Sequence, residues 1–255
     1  MEINVSFLYK IWSVIKTIFW RNNQIIYINS NKKIQSHKSI DSLIATQGHH
    51  WINCQSHFKG NLGIKNYKIH LFRMKRHLYD ITRNLDDTDQ LVYSGFVSTM
   101  FAAYDGYCLG DNKSYCFIDC NSKDSAPYKI NYSKQLKNIP FIEKPSTKTV
   151  NVLFSCGHGI ELKSDFHTYN FNKPPANKIT QSYLHEVFAF SNAVFDLCKN
   201  AGVERINLYI AAKQPISFVI GTAIQTYHPK VYAYELVGNE YKLALCIQTG
   251  KLEAV

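Results

Sequence analysis

The chain has no CxxC pair and no C-terminal lipidation or retrieval signal, and a cleavable leader is not expected. Its seven cysteines are odd in number and scattered, and Cys116 and Cys120 are placed too irregularly for a disulfide framework. Free thiols in a reducing, cytoplasmic setting are therefore predicted. Cys108, Cys198 and Cys246 are expected to pack as small buried hydrophobes. A leader is not expected because Lys10 and Lys16 interrupt the apolar N-terminal region and no small-residue cleavage site follows. Acidic residues are also scarce, 19 against 29 Lys and Arg, for a net charge of +10.

The excess is uneven: residues 1–90 carry 13 basic and 6 acidic side chains. Such a balance favours a polyanionic ligand such as an oligonucleotide, or an anionic membrane surface, and a Lys- and Asn-rich composition explains it equally well. With 45% hydrophobic and 14% aromatic residues, the 255-residue chain has ample material for a buried core.

Met1–Trp20 is unusually apolar. Ser6, Lys10, Ser13 and Thr17 recur at helical spacing and form one narrow polar stripe, which predicts an N-terminal amphipathic helix over residues 1–23. The apolar run is shorter than the roughly 20 residues of a usual span. Residues 5–20 are therefore expected either to touch the inner membrane, lying in its interface, or to pack against protein.

From Ile206 to Leu236 the pattern is strand, loop, helix, strand. Ile206–Ile210 is short and apolar; Lys213, Gln214 and Pro215 follow, and Pro215 suits the first turn of a helix that contains Gly221. Free backbone donors at such a helix start, at the carboxyl end of a strand, form the usual phosphate-holding position of doubly wound sheets. Tyr227–Lys230 then turns the chain into the strand VYAYEL. The same pattern occupies Leu91–Asp119, with Leu91 opposite Ile206, Gly106 opposite Gly221 and Phe117 opposite Tyr232, each 115 positions apart. The offset also lays Tyr67–Asn84 over Ser182–Lys199, so an internal duplication of an α/β unit is expected.

These residues, strand-AAKQP-helix-Gly-strand ending VYAYEL and its weaker copy ending CFID, resemble the SAVED domain. That family comprises cyclic-oligonucleotide sensors of bacterial anti-phage systems, built from two fused CARF-like, Rossmann-like halves. The resemblance covers roughly Gln24–Val255 and implies an α/β fold with halves near 24–120 and 149–255. No effector domain of recognisable size is expected before the sensor, and the family has no short catalytic signature.

Other segments fit this frame. QIIYIN, Gln24–Asn29, is the expected first strand, and the basic loop Ser30–Lys33 is either phosphate-facing or a solvated turn. Lys65–Leu85 is a basic helix ended by DDTD, and Asn121–Lys148, punctuated by three prolines, is the crossover between the halves. Val150–Phe154 opens the second half, Gln181–Ala201 is an amphipathic helix closed by Asn200–Gly202, and Tyr241–Gln248 is the last strand. His49, His50, Cys54 and His57 have zinc-type chemistry, but their spacing fits no usual site, and a histidine-rich loop is expected instead. Cys156 and His158 lie two apart on a loop with no third orienting group, which argues against a nucleophile and base.

The candidate ligand residues lie where strands end. They are Ser94, Gly95 and Phe96 in the first half, then Ser155, Cys156, Gly157 and His158, and Ala212, Lys213 and Gln214. Gly157 and Gly159 allow close backbone approach, and Phe96 or Tyr209 are candidates for base stacking. The resemblance implies a cyclic oligonucleotide such as cyclic tri- or tetra-adenylate as ligand. Binding would change assembly into a homo-oligomer, an effector chain or the N-terminal helix. No metal, cofactor or catalytic residue is expected. Two alternatives stay open: a ring nuclease that cleaves the same ligand, and a nucleotide-binding interaction domain of another pathway.

Overall fold

A computed structural model describes residues 24–30, 50–55, 64–84, 90–111, 114–118, 128–130, 142–157, 159–162, 164–175, 178–237 and 240–254. The expected helix over residues 1–23, the basic residues 31–33, and His49, His57 and His158 lie outside the described residues.

Apolar runs alternate with helical periodicity twice along the chain, and each round builds one sheet. The first comprises β1 (Gln24–Ser30), β2 (His50–Gln55), α1 (Ile64–Asn84), β3 (Gln90–Phe96), α2 (Thr99–Leu109), β4 (Ser114–Ile118) and β5 (Tyr128–Ile130). Its strand order is β2-β1-β3-β4-β5, with only β5 antiparallel to its neighbour. The second comprises β6 (Thr149–Ser155), β7 (His167–Phe171), α3 (Gln181–Asn200), β8 (Arg205–Ala211), α4 (Gln214–Thr222), β9 (Lys230–Val237) and β10 (Glu240–Cys246). Its order, β7-β6-β8-β9-β10, repeats the first, and β11 (Lys251–Ala254) extends it.

The duplication is thus a property of the fold. β3 and β8 correspond residue for residue at the 115 offset. Gln24 pairs with Gln90 as Thr149 pairs with Arg205, so the first half has ten more residues between its first and third strands.

Three expectations are corrected. The crossover contains a strand, β5. The chain does not end its pairing at Gln248, because Ile247–Gly250 turns it, with Gly250 at φ 59, into β11. Residues 50–55 are strand rather than loop, paired in parallel with β1.

Helices α1 and α3 each bury one stripe. On α1 this is Tyr67, Leu71, Met74, Leu78 and Ile81, at spacings of four, three, four and three. Thr180 caps α3 by accepting from the Tyr183 amide at 3.2 Å. At its far end Gly202, at φ 70, donates to Lys199, and Val203 donates back to Cys198, which satisfies carbonyls left by the last turn.

The short helices α2 and α4 have no polar face and are buried nearly all round, because each is enclosed by the other and by both sheets. Phe218 of α4 reaches into the first half, its ring 4.6 Å from that of Tyr93, 4.9 Å from Tyr115 and 5.4 Å from Phe117. Gly106 and Gly221, matched by the duplication, allow the approach: a methyl on Gly106 would stand 2.0 Å from the Phe218 carbonyl oxygen. A carboxyl also sits in this core. Asp105 is fully buried and accepts hydrogen bonds from the hydroxyls of Tyr93 at 2.8 Å and Tyr27 at 3.2 Å.

Right-handed crossovers place the β6–β7 connection on the face of the second sheet opposite α3 and α4. Ile160 and Leu162 from that connection pack there on Leu153, Tyr209, Tyr234 and Ala244.

Candidate functional site

Parallel pairing carries the carboxyl ends of β6 and β8 to one rim, and a bond from Gln214 to Val97 brings the end of β3 to it. Ser155 pairs with Ala211, so the segments Ser155–Gly157 and Ala211–Gln214 are neighbours. The Ala211 carbonyl accepts from both the Cys156 amide at 3.0 Å and the Gly157 amide at 2.7 Å, which fixes the two loops to each other. Gly157 is exposed, and a methyl there would come within 3.3 Å of the same oxygen.

Lys213 is the N-cap residue of α4, extended at φ −69 and ψ 152, with its side chain exposed to solvent. The expectation of free first-turn donors narrows here. Pro215 has no N–H, and the amides of Ile216 and Ser217 both donate to the Lys213 carbonyl. Gln214 joins the halves: its side-chain amide donates to the carbonyl of Val97, just beyond β3, at 2.8 Å. Ser94, Gly95 and Phe96 are the last residues of β3, so their backbone lies on this rim, and Ser94 is buried. The structure therefore brings the first-half and second-half candidates together at one edge.

Some candidates are already engaged. Ser155 Oγ donates to Asn170 Oδ1 at 3.3 Å. Cys156 is buried, and burial pushes its thiol above the usual range although the Tyr183 hydroxyl hydrogen-bonds it, so the reactive thiolate is disfavoured. Tyr209 offers no open ring face. It stacks on Tyr234 at 4.8 Å and 16°, and Tyr241 meets it edge-on at 4.8 Å. Burial likewise pushes the Cys54 thiol up to about 12, which disfavours its thiolate. The six described cysteines are free, Cys108 only half-buried.

The sequence reading missed an acid at the rim. Val231 and Ala233 point inward to the core, so alternation along β9 brings Glu235 to the same face. There its carboxyl hydrogen-bonds the hydroxyl of Tyr67, on the first turn of α1, and faces the Ser98 hydroxyl at the start of α2. Burial raises the carboxyl to about 7, and these two hydroxyls oppose the rise. The signal was available as a carboxylate at an inward position of VYAYEL.

Structural comparison finds the fold of this chain, two α/β halves packed through a helix pair, to be similar to that of SAVED/CARF-domain receptors. The Acinetobacter baumannii Cap4 SAVED/CARF-domain receptor, solved with the cyclic trinucleotide 2′3′3′-cAAA, matches with a TM-score of 0.57 and 13% identity over 92% of this chain and 54% of that one. The same receptor with 3′3′3′-cAAA matches at 0.59 and 15% identity over 89% and 52%. The Moraxella osloensis Cap4 receptor matches at 0.57 and 16% identity over 87% and 49%. This chain spans about half the length of these receptors. No protein-family model matches it, nor does any curated protein. Among the described residues no helix is long and apolar enough to cross a membrane.

Proposed function

We propose that the chain is a cyclic-oligonucleotide sensor of anti-phage defence that binds its ligand on the rim shared by the two halves. One observation carries this reading. Gln214, at the loop after β8, bonds directly to Val97, at the duplicated loop after β3, so a single compact ligand can touch both. The likeness to receptors solved with cyclic trinucleotides supports the ligand class. The chemistry agrees: an exposed lysine stands at a helix start, two backbone-rich loops adjoin it, and the chain carries a net charge of +10.

Ser94, Gly95, Phe96, Ser155, Cys156, Gly157, Ala212, Lys213 and Gln214 form the proposed contact set, with His158 adjoining them in sequence. Because the ligand contacts both halves, its binding energy couples to their arrangement and hence to assembly or to an attached effector. In this reading residues 24–255 are the sensor, and membrane contact through residues 5–20 is one route to output.

The test is calorimetric titration with 3′3′3′-cAAA, 2′3′3′-cAAA, a cyclic dinucleotide and a cyclic tetra-adenylate, followed by chromatography of the recovered ligand. Saturable binding of one intact ring supports the sensor. Linear products would make the protein a ring nuclease, and absence of binding to every ring would remove the proposal.

A further inference from the structure

The outward face of α1 carries a second pattern, away from the rim contacts. Opposite the buried stripe, Lys65, Ile69, Phe72, Arg76, Tyr79 and Arg83 are exposed and recur at spacings of four, three, four, three and four. At about 100° per residue they fall within an arc of roughly 100°. Phe72 is 72% exposed, Tyr79 64% and Ile69 38%, so the apolar members are offered to solvent rather than folded back. A solvated helix face mixes charges of both signs, whereas this stripe holds only cations and large apolar groups, with Asp80 beside it.

Alternating three and four spacing makes the narrow seam of a two-helix coiled coil. A helix lying in a bilayer needs a wider apolar face with its cations at the edges, but Arg76 and Arg83 stand in the middle of this one. The helix is also held firmly in place, since Lys75 Nζ donates to the Gly250 carbonyl of the second half at 2.7 Å.

We propose that this face docks an acidic amphipathic helix of a separate protein. Its apolar residues would cover Ile69, Phe72 and Tyr79, and its carboxylates would pair with Lys65, Arg76 and Arg83. Charge selects that occupant. A second copy packed antiparallel sets Lys65 against Arg83, and one packed parallel sets Arg76 against itself. The chain's own N-terminal segment brings Lys10, Lys16 and Arg21 against one acid, Glu2. Each of these pairings places like charges across the seam, which is destabilising.

The experiment uses the full chain and a labelled helical peptide matching α1 in length, with Leu along its seam and Glu opposite the three cations. A second peptide carries Lys in place of Glu, and vesicles of phosphatidylglycerol and phosphatidylcholine are the third probe. Fluorescence anisotropy should show the Glu peptide binding about tenfold or more tightly than the Lys peptide. Phe72→Ser should weaken it by about tenfold, and the double variant Arg76→Glu, Arg83→Glu should reverse the preference. All the substituted side chains are exposed, so unchanged melting temperatures confirm intact folding. Equal binding of the two peptides, indifference to Phe72→Ser, or Phe72-dependent sedimentation with vesicles in place of peptide binding would overturn the proposal. The variants' affinity for 3′3′3′-cAAA reads the rim separately.

Discussion

The Tyr67 hydroxyl and the Glu235 carboxyl form a hydrogen bond between the first turn of α1 and the end of β9, joining the two halves through a group that changes charge near neutral pH. In the fold, burial holds the carboxyl at about 7; in the unfolded chain it titrates near 4.5. Between those values the folded state keeps a proton that the unfolded state has released, so this group's contribution to stability falls as pH rises through the window. Glu235→Gln removes the titration. Relative to wild type, the variant should gain about 1–3 kcal/mol between pH 5 and pH 8, measured by urea denaturation. His70, lowered to about 4 by burial and Arg73, and the buried His228 act in the opposite direction in both proteins and cancel in the difference. A difference that does not vary with pH would show that Glu235 titrates normally.

The central helix crossing tolerates no side chain at its two glycines. A methyl on Gly221 would lie 1.9 Å from the Ala103 carbonyl oxygen, and backbone cannot swing aside as a long side chain can. Gly221→Ala and Gly106→Ala should each cost about 3 kcal/mol, seen as a lower melting temperature. Gly159→Ala, which meets nothing within 4 Å, should stay within about 0.5 kcal/mol of wild type.

For the rim, Lys213→Ala should weaken 3′3′3′-cAAA binding by about 1–3 kcal/mol, the scale of a charge-assisted bond, and leave the melting temperature unchanged. Gln214→Ala should lower both, because it also removes the bond to Val97. Calorimetry and thermal denaturation on the same samples separate the two effects.

Asp105 and its tyrosines should behave as a unit. Tyr93→Phe removes one donor from a buried carboxyl and should cost about 1–3 kcal/mol. Asp105→Ala strands the Tyr27 and Tyr93 hydroxyls and should cost about 3 kcal/mol or more. In a thermal-denaturation cycle the two substitutions should fall well short of additive.

The elements that the sequence made legible are those whose local pattern and long-range packing agree. β3 and β8 are buried on both faces because both faces are covered, and their match survives at one constant offset. α1 and α3 keep a single buried stripe and so keep the helical period. The short strands β5 and β11 escaped notice because pairing with a neighbour, rather than their own composition, creates them. At the rim, the loops after β3, β6 and β8 were readable from strand ends. The bond from Gln214 to Val97 crosses 117 positions, and no local signal announces it. An aromatic residue type alone does not show an open ring face, and that of Tyr209 belongs to Tyr234. Glu235 is hidden in VYAYEL because strand propensity does not distinguish the two sides of β9, and only the buried Val231 and Ala233 mark its side as inward.

Phe218 has a further implication. It lies in the second half of the chain, yet it completes the ring cluster of Tyr93, Tyr115 and Phe117 in the first. Each half therefore lends the other part of its interior. Severed between Ile130 and Ile142, the polypeptide would yield two fragments with exposed central helices and incomplete cores, each a template for the other. The pair has the design of a split protein whose parts regain their structure by recombining.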